Sequence, residues 1–144
     1  APIVGGKWKV YAGDIADEFV AHIVRLAKDK KQDNIVGVVC EQDSAKLPPE
    51  SVDLVFICDT YHDFEFPQKT MVSIHEALKP GGQVVLIDFP RIEGVSREWI
   101  LGHVRAGQEV FTKEIVDAGF KQVEEKKDLL QESYFVRFEK VNGE

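Results

Sequence analysis

The densest group of residues that could do acid–base chemistry follows an apolar run at 52–58. Asp59, Tyr61 and His62 stand together in this short stretch. The Asp59 carboxylate can orient a cation or accept a proton, and a free imidazole such as that of His62 titrates near neutral pH. Together with Tyr61, which lies between them in the sequence, they are the candidate catalytic residues. The alternative is that Tyr61 and His62 pack on the helix that follows, because a lone histidine is more often structural than catalytic.

Other polar residues stand at the ends of further predicted strands. Asp14 follows a strand at 8–12, Gln42 and Asp43 follow one at 35–39, and Asp88 ends a run at 83–88. The strands before Asp59 and Asp88 are almost entirely apolar, which predicts burial on both faces, as in a parallel sheet between helices. Ligands bind such sheets beyond the carboxyl ends of the strands. We therefore expect Asp14, Asp43 and Asp59 to meet at one edge of the sheet.

Each of these aspartates also has a simpler explanation. Asp14 could form an Asx turn before the next helix, where Asp17 is the expected N-cap. Asp43 could be an ordinary polar loop residue, and Asp88 has a weaker claim than the others.

Periodicity and turn residues predict one α/β domain over 1–144, and we find no internal repeat. The last two strands have a short connection, which indicates an antiparallel hairpin. Gly119 suits the left-handed position after a helix. The predicted helices are 17–30, 67–78 and a region from 96 that is broken near 102–107; the last predicted strands are 121–126 and 134–139.

Composition narrows the classes of partner. The chain has 144 residues, 44% hydrophobic residues and a net charge of −7. This acid excess argues against nucleic acid and against an anionic membrane surface, and no apolar run reaches the length of a membrane helix. Cys40 and Cys58 fall at predicted strand ends and suggest small buried residues rather than a disulfide. The compartment stays open between cytoplasm and export.

The spacing of the histidines predicts no metal site. The sequence contains no His-x-x-x-His or Cys-x-x-Cys pair, and no nucleophile elbow. His22 and His75 are expected on helix surfaces. His103 and Arg105 lie in a glycine-flanked stretch that could cover a cleft, although an exposed surface helix is the simpler interpretation.

Several motifs occur together in one order. A strand ending in Asp14 precedes a strand ending in Gln42-Asp43, and the segment 47–62 reads Leu-Pro-Pro-Glu-Ser-Val-Asp-Leu-Val-Phe-Ile-Cys-Asp-Thr-Tyr-His. Ala-Leu-Lys-Pro-Gly-Gly at 77–82 precedes an apolar strand, and Ala-Gly-Phe at 118–120 precedes the hairpin. From about Val10 to Phe138 this pattern resembles the class I S-adenosylmethionine (SAM)-dependent methyltransferases.

The resemblance implies a Rossmann-like fold, SAM as cofactor and a small-molecule acceptor. It implies that Asp14 accepts hydrogen bonds from the ribose hydroxyls and that Gln42 and Asp43 lie beside the adenine. Ile15 and Asp59 are placed with these cofactor-binding residues. Asp59, Tyr61 and His62 would then lie near the methyl donor and acceptor.

One motif of that family has no counterpart in this sequence. No Gly-x-Gly-x-Gly turn follows a strand, and Gly5-Gly6 precedes one. The sequence therefore resembles a methyltransferase without its first strand and first helix. Three explanations are open: a piece of a longer protein, a degenerate homologue, or a complement supplied by another chain.

Two other functions compete with methyl transfer, and the missing turn favours the first of them. A non-catalytic binding or assembly module would keep the fold without the glycine-rich turn, and its open sheet edge could form a homodimer. An NAD-binding protein is less favoured, because it also needs a glycine-rich turn and does not usually end in such a hairpin.

Overall fold

The chain folds into an α/β structure in a computed structural model that describes residues 8–127 and 130–142. Six strands and four α-helices are described, together with a short 3₁₀ helix at Tyr61–Asp63. The elements in chain order are β1 (Val10–Asp14), α1 (Asp17–Asp29), β2 (Ile35–Val39), β3 (Val52–Cys58), α2 (Pro67–Ala77), β4 (Leu78–Asp88), α3 (Glu98–His103), α4 (Gln108–Asp117), β5 (Phe120–Lys126) and β6 (Tyr134–Lys140).

The strands form two hydrogen-bonded groups. β1 and β2 pair in parallel, while the other group has the order β3-β4-β6-β5. β3 and β4 are parallel, whereas β6 is antiparallel to both β4 and β5. The predicted Rossmann-like class, with parallel strands and a C-terminal antiparallel hairpin, is confirmed. In the described part of the chain, no strand pairs with the second edge of β1 or with the outer edge of β3.

The main core is built around β4. Its side chains are buried on both faces, including Val84, Val85 and Leu86. Burying both faces of an apolar strand is the largest contribution that one strand can make to the hydrophobic core. The core residues that pack together from α2, α3, α4 and the last two strands include Met71, Ile74, Ile100, Val104, Phe111, Ile115, Phe120, Val136 and Phe138.

β4 starts earlier than its sequence indicates. In the sequence, the segment Lys79-Pro80-Gly81-Gly82 has the composition of a turn and precedes the predicted apolar strand, but in the structure Leu78 already pairs with Val52 of β3. The pairing register shifts between Val52 and Leu54, and Gly81 has a φ of 78°. This irregularity lets a glycine-containing segment run beside β3 without continuous pairing.

The prediction that β3 is buried on both faces is wrong. Leu54 and Phe56 are 55% and 61% exposed, while Ile57 is buried. Side chains alternate between the faces of a strand, so one face of β3 packs on the core and the other is uncovered by the described residues. The prediction that both cysteines are buried is wrong as well, because Cys58 is exposed and Cys40 is half-buried.

The helix boundaries agree with the sequence within a residue or two. Asp17 is the first residue of α1 rather than its N-cap, which is Ala16. The predicted interruption at 102–107 separates α3 from α4. Gly119 has a φ of 104°, as expected for the residue after α4. Among the described helices, none combines the length and the apolar character needed to cross a membrane.

Candidate functional site

The carboxyl ends of β3 and β4 lie side by side. Cys58 pairs with Ile87, and the Asp59 amide donates a hydrogen bond to the Ile87 carbonyl at 2.9 Å. Asp59 has a φ of 52°, a left-handed conformation that aspartate tolerates better than most residues. Such conformations are often found at functional sites. The pairing therefore places Asp59 and Asp88 at the same end of the sheet.

Asp88 is fully buried and holds His62 in place. One carboxylate oxygen lies 2.8 Å from His62 Nδ1 and also accepts a hydrogen bond from the Phe89 amide at 2.8 Å. The other oxygen accepts the His62 backbone N–H at 3.1 Å. Because an ionised carboxylate only accepts hydrogen bonds, the proton of a neutral His62 lies on Nδ1. The free lone pair is then on Nε2.

The Nε2 edge of His62 lies near Asp63, which the sequence did not indicate, and near His103, for which the sequence left a role at the cleft open. Asp63 Oδ2 lies 3.6 Å from His62 Nε2, and Asp63 Oδ1 lies 3.7 Å from His103 Nε2. His62, Asp63 and His103 each offer one potential metal-ligating atom, and these three atoms lie within 4.8 Å of one another. Trp99 stacks on the His103 ring with 5.2 Å between ring centres. Among the described residues, His62, Asp63 and His103 form a group whose side chains could hold a metal ion.

Tyr61 points into the core. Its ring packs against Phe64 and Phe111, and its hydroxyl donates a 2.9 Å hydrogen bond to Glu114. Arg105 binds the same carboxylate through two hydrogen bonds of 2.7 and 2.8 Å. Burial and then the negative charge of Glu114 raise the pKa of Tyr61 well above its ordinary value. A catalytic role for Tyr61 therefore requires its hydroxyl to leave Glu114.

A second buried tyrosine lies near this group. Tyr134 pairs across the sheet with Asp88. Burial, followed by the Asp88 charge, raises the pKa of Tyr134 well above its usual range. Its hydroxyl has no hydrogen-bond partner among the described residues. Both tyrosines therefore favour the neutral form in the folded protein.

The ends of β1 and β2 form an open depression of about 480 Å³. Ile15, Gln42 and Asp43, three of the residues predicted to contact a cofactor, all line it. Phe66, from the segment after β3, lines the same depression. The shared depression shows that the ends of β1 and β2 face the segment that follows β3. Of the three aspartates predicted to meet at this edge, Asp43 is the one that lines the depression.

The α2 helix fixes the loop after β2. The Ser73 hydroxyl accepts the Ala45 amide at 3.0 Å, and Thr70 donates a 3.4 Å hydrogen bond to the Gln42 carbonyl. These contacts position Gln42 and Asp43 relative to Phe66 at the start of the helix.

Asp14 and Asp59 lie at strand ends but do not line this depression. The Asp14 carboxylate accepts the Ala16 amide at 2.9 Å, which is the Asx-type turn proposed as its simpler role. Its ribose-binding role and the cofactor role of Asp59 therefore stay predictions.

The pKa of both cysteine thiols is raised. Partial burial and then the charge of Asp14 raise the pKa of Cys40. Partial burial and then the carboxylate of Asp59 raise the pKa of Cys58. A raised pKa lowers the fraction of reactive thiolate at neutral pH.

Comparison with known proteins identifies the family. Residues 3–86 match the family described as "Methyltransferase domain". A SAM-dependent methyltransferase from Aquifex aeolicus superposes with a TM-score of 0.84 at 21% identity, over 97% of this chain and 73% of that chain. The YcgJ protein from Bacillus subtilis gives 0.74 at 14% identity, over 94% and 83%.

The same fold also occurs in a protein with a different described activity. The cyclase SpnF superposes with a TM-score of 0.80 at 13% identity, over 94% of this chain and 67% of that chain. At these identities the superpositions establish the fold, whereas the family match covers more than half of the sequence. The chain therefore belongs to the class I methyltransferase family.

Proposed function

We propose that this domain takes part in SAM-dependent methyl transfer to a small acceptor whose nucleophilic atom loses a proton. The observation that carries the proposal is the depression at the ends of β1 and β2, which joins Ile15, Gln42 and Asp43 with Phe66. The sequence predicts Ile15, Gln42 and Asp43 as cofactor-binding residues, whereas it does not indicate Phe66.

The side chains around the depression fit the adenosine half of the cofactor. Ile15 and Phe66 are exposed apolar side chains that can pack on the faces of a purine ring. Gln42 and Asp43 offer amide and carboxylate oxygens to the exocyclic amine, and Asp14 can accept hydrogen bonds from ribose hydroxyls. When bound, SAM supplies a methyl group activated by a sulfonium centre. The acidic strand ends suit this positive charge.

The acceptor's proton would be taken by His62. Asp88 binds Nδ1 and so leaves the Nε2 lone pair available. This arrangement of a buried carboxylate and an oriented imidazole is suited to general-base catalysis. Asp59 is the second candidate base, since it ends the neighbouring strand. The main contribution of the protein would be to position the donor and the acceptor in line.

Calorimetric titration with SAM and with its demethylated product tests the proposal. We expect binding with at least micromolar affinity and about tenfold weaker binding for Asp43→Ala, which corresponds to about 1.4 kcal/mol. Asp33→Ala is the matched control, because Asp33 precedes β2 at the opposite end of that strand. The absence of both heat and a thermal shift with either compound would exclude cofactor binding by this chain.

A specific observation favours a second function as a non-catalytic assembly module. β1 and β3 each have an edge that no described strand pairs, and Leu54 and Phe56 expose apolar side chains on β3. Open strand edges recruit further strands. In this second function the chain forms a homodimer, or receives a strand from another chain, at these edges.

Sedimentation velocity separates the two functions. The assembly module predicts a dimer that Phe56→Lys converts to monomer, whereas Val95→Lys, which changes another exposed apolar residue, leaves it intact. A monomer at all concentrations would count against the homodimer.

A further inference from the structure

Three side chains from two separate segments converge, and one of them is the proposed base His62. His62 and Asp63 belong to the 3₁₀ helix after β3, and His103 ends α3. The distances from the Asp63 carboxylate to the two Nε2 atoms are 3.6 and 3.7 Å. Both distances are longer than a hydrogen bond and within the reach of an ion pair, so the Asp63 carboxylate lies between the two imidazoles without a close hydrogen bond to either.

The geometry points to a binding site for a divalent transition metal, with zinc as the reference ion. Two imidazole nitrogens and one carboxylate are a ligand set suited to zinc. In a tetrahedral site with bonds of about 2.0–2.2 Å, the ligand atoms are about 3.3–3.6 Å apart. The two carboxylate–imidazole separations, each to a different Asp63 oxygen, lie close to this range, and the ligand atoms of the three residues all lie within 4.8 Å of one another. Three protein ligands leave the fourth position open to water or to a small molecule.

The surroundings of both histidines support this assignment. Asp88 Oδ1 lies 2.8 Å from His62 Nδ1 and is fully buried, so it fixes the tautomer that turns the Nε2 lone pair toward Asp63. A carboxylate that orients a histidine in this way is the usual outer shell of a metal-binding imidazole. This contact is independent of the convergence of the three ligands.

The second imidazole is held by aromatic packing. The His103 ring is stacked on Trp99 with an angle of 20° between the rings, and Trp99 in turn packs edge-on against Phe89. The His62 and His103 rings also meet edge to face, with centres 5.2 Å apart. These contacts hold His103 at the end of α3 although it is half-exposed.

The metal site and the proposed base share one atom. His62 Nε2 cannot hold a metal ion and accept a proton at the same time. A bound ion would therefore replace the base and could instead bind a heteroatom of a small ligand at the open position. The site would exist whether or not the chain binds SAM, so the two proposals can fail separately.

The test uses the full chain after removal of metals with a chelator. Titration with Co²⁺ should produce the visible absorption bands of a tetrahedral nitrogen–oxygen site, and Zn²⁺ should displace Co²⁺ with a stoichiometry of one. Calorimetry then gives the Zn²⁺ affinity of the chain and of four variants. His103→Ala and Asp63→Asn change exposed side chains, and each should weaken binding at least about tenfold.

His22→Ala is the matched control, since His22 is an exposed histidine on α1. It should bind Zn²⁺ as tightly as the unchanged chain. Asp88→Asn should lower the affinity about 10- to 100-fold, as expected for a carboxylate that orients a ligand. Two results would overturn the proposal: no Zn²⁺ binding at micromolar concentrations, or affinities in His103→Ala and Asp63→Asn equal to that of His22→Ala.

Discussion

Replacing Asp88 by alanine should remove much of the stability of this domain. The fully buried carboxylate accepts hydrogen bonds from His62 Nδ1, the His62 amide and the Phe89 amide. Alanine leaves all three donors without this partner. Each hydrogen bond to a charged group is worth about 1.5–3 kcal/mol, although such contributions are not additive.

The three hydrogen bonds to the Asp88 carboxylate set the expected size. Because their contributions are not additive, we expect Asp88→Ala to lower the free energy of unfolding by about 3–5 kcal/mol. The total for a domain is only about 5–15 kcal/mol. Asp88→Asn should cost less, about 1–3 kcal/mol, because the amide keeps one accepting oxygen.

Urea denaturation followed by circular dichroism measures these values, with the slope m as a check that the unfolded state is unchanged. The control is Asp53→Ala, because Asp53 is exposed and pairs with the exposed Lys79 at 3.3 Å. We expect it to change the stability by less than about 1 kcal/mol. If Asp88→Ala costs no more than Asp53→Ala, then Asp88 does not hold His62 as described here.

The two buried tyrosines give a matched pair of predictions. Tyr134→Phe should raise the midpoint of thermal unfolding, because it removes a buried hydroxyl that has no partner among the described residues. Tyr61→Phe should lower the free energy of unfolding by about 1–2 kcal/mol, because it removes the hydrogen bond to Glu114. The opposite order of stabilities would contradict the assigned contacts. Because folding raises the pKa of both tyrosines, the stability of the domain does not depend on their ionisation below about pH 10 and falls as the pH rises above it, by at most about 1.4 kcal/mol per pH unit for each tyrosine. Urea denaturation between pH 9 and about 11.5 measures this slope, and a slope unchanged in the Tyr61→Phe, Tyr134→Phe double variant would contradict it.

Local patterns were sufficient to predict most of the elements. Apolar runs and turn residues predicted β2, α2 and the antiparallel hairpin, because each pattern is a property of neighbouring residues. The Lys79–Gly82 segment was missed because pairing with β3 overrides its turn composition. The exposure of Phe56 was missed because a continuous apolar run does not reveal which elements cover each face of the strand.

The candidate site was less predictable because it depends on distant residues. The grouping of Ile15, Gln42 and Asp43 follows from the rule that parallel strands end at one edge. The hydrogen bond from Tyr61 to Glu114 joins residues 53 positions apart, and no local signal indicates it. The convergence of His103 on Asp63 likewise arises from the placement of α3, so histidine spacing alone could not predict a metal site.

The uneven distribution of buried residues has a consequence for the motions of the domain. In the described part of the chain before β3, only Val20 and Ala27 are buried, whereas all members of the main core cluster lie from Ile57 onward. Segments with few buried apolar contacts open locally at a lower free energy than the whole domain. The amide hydrogens of β1, α1 and β2 should therefore exchange with solvent deuterium earlier than those of β4 and β6. Half of the depression at the ends of β1 and β2 would then open and close without unfolding of the sheet formed by β3, β4, β6 and β5.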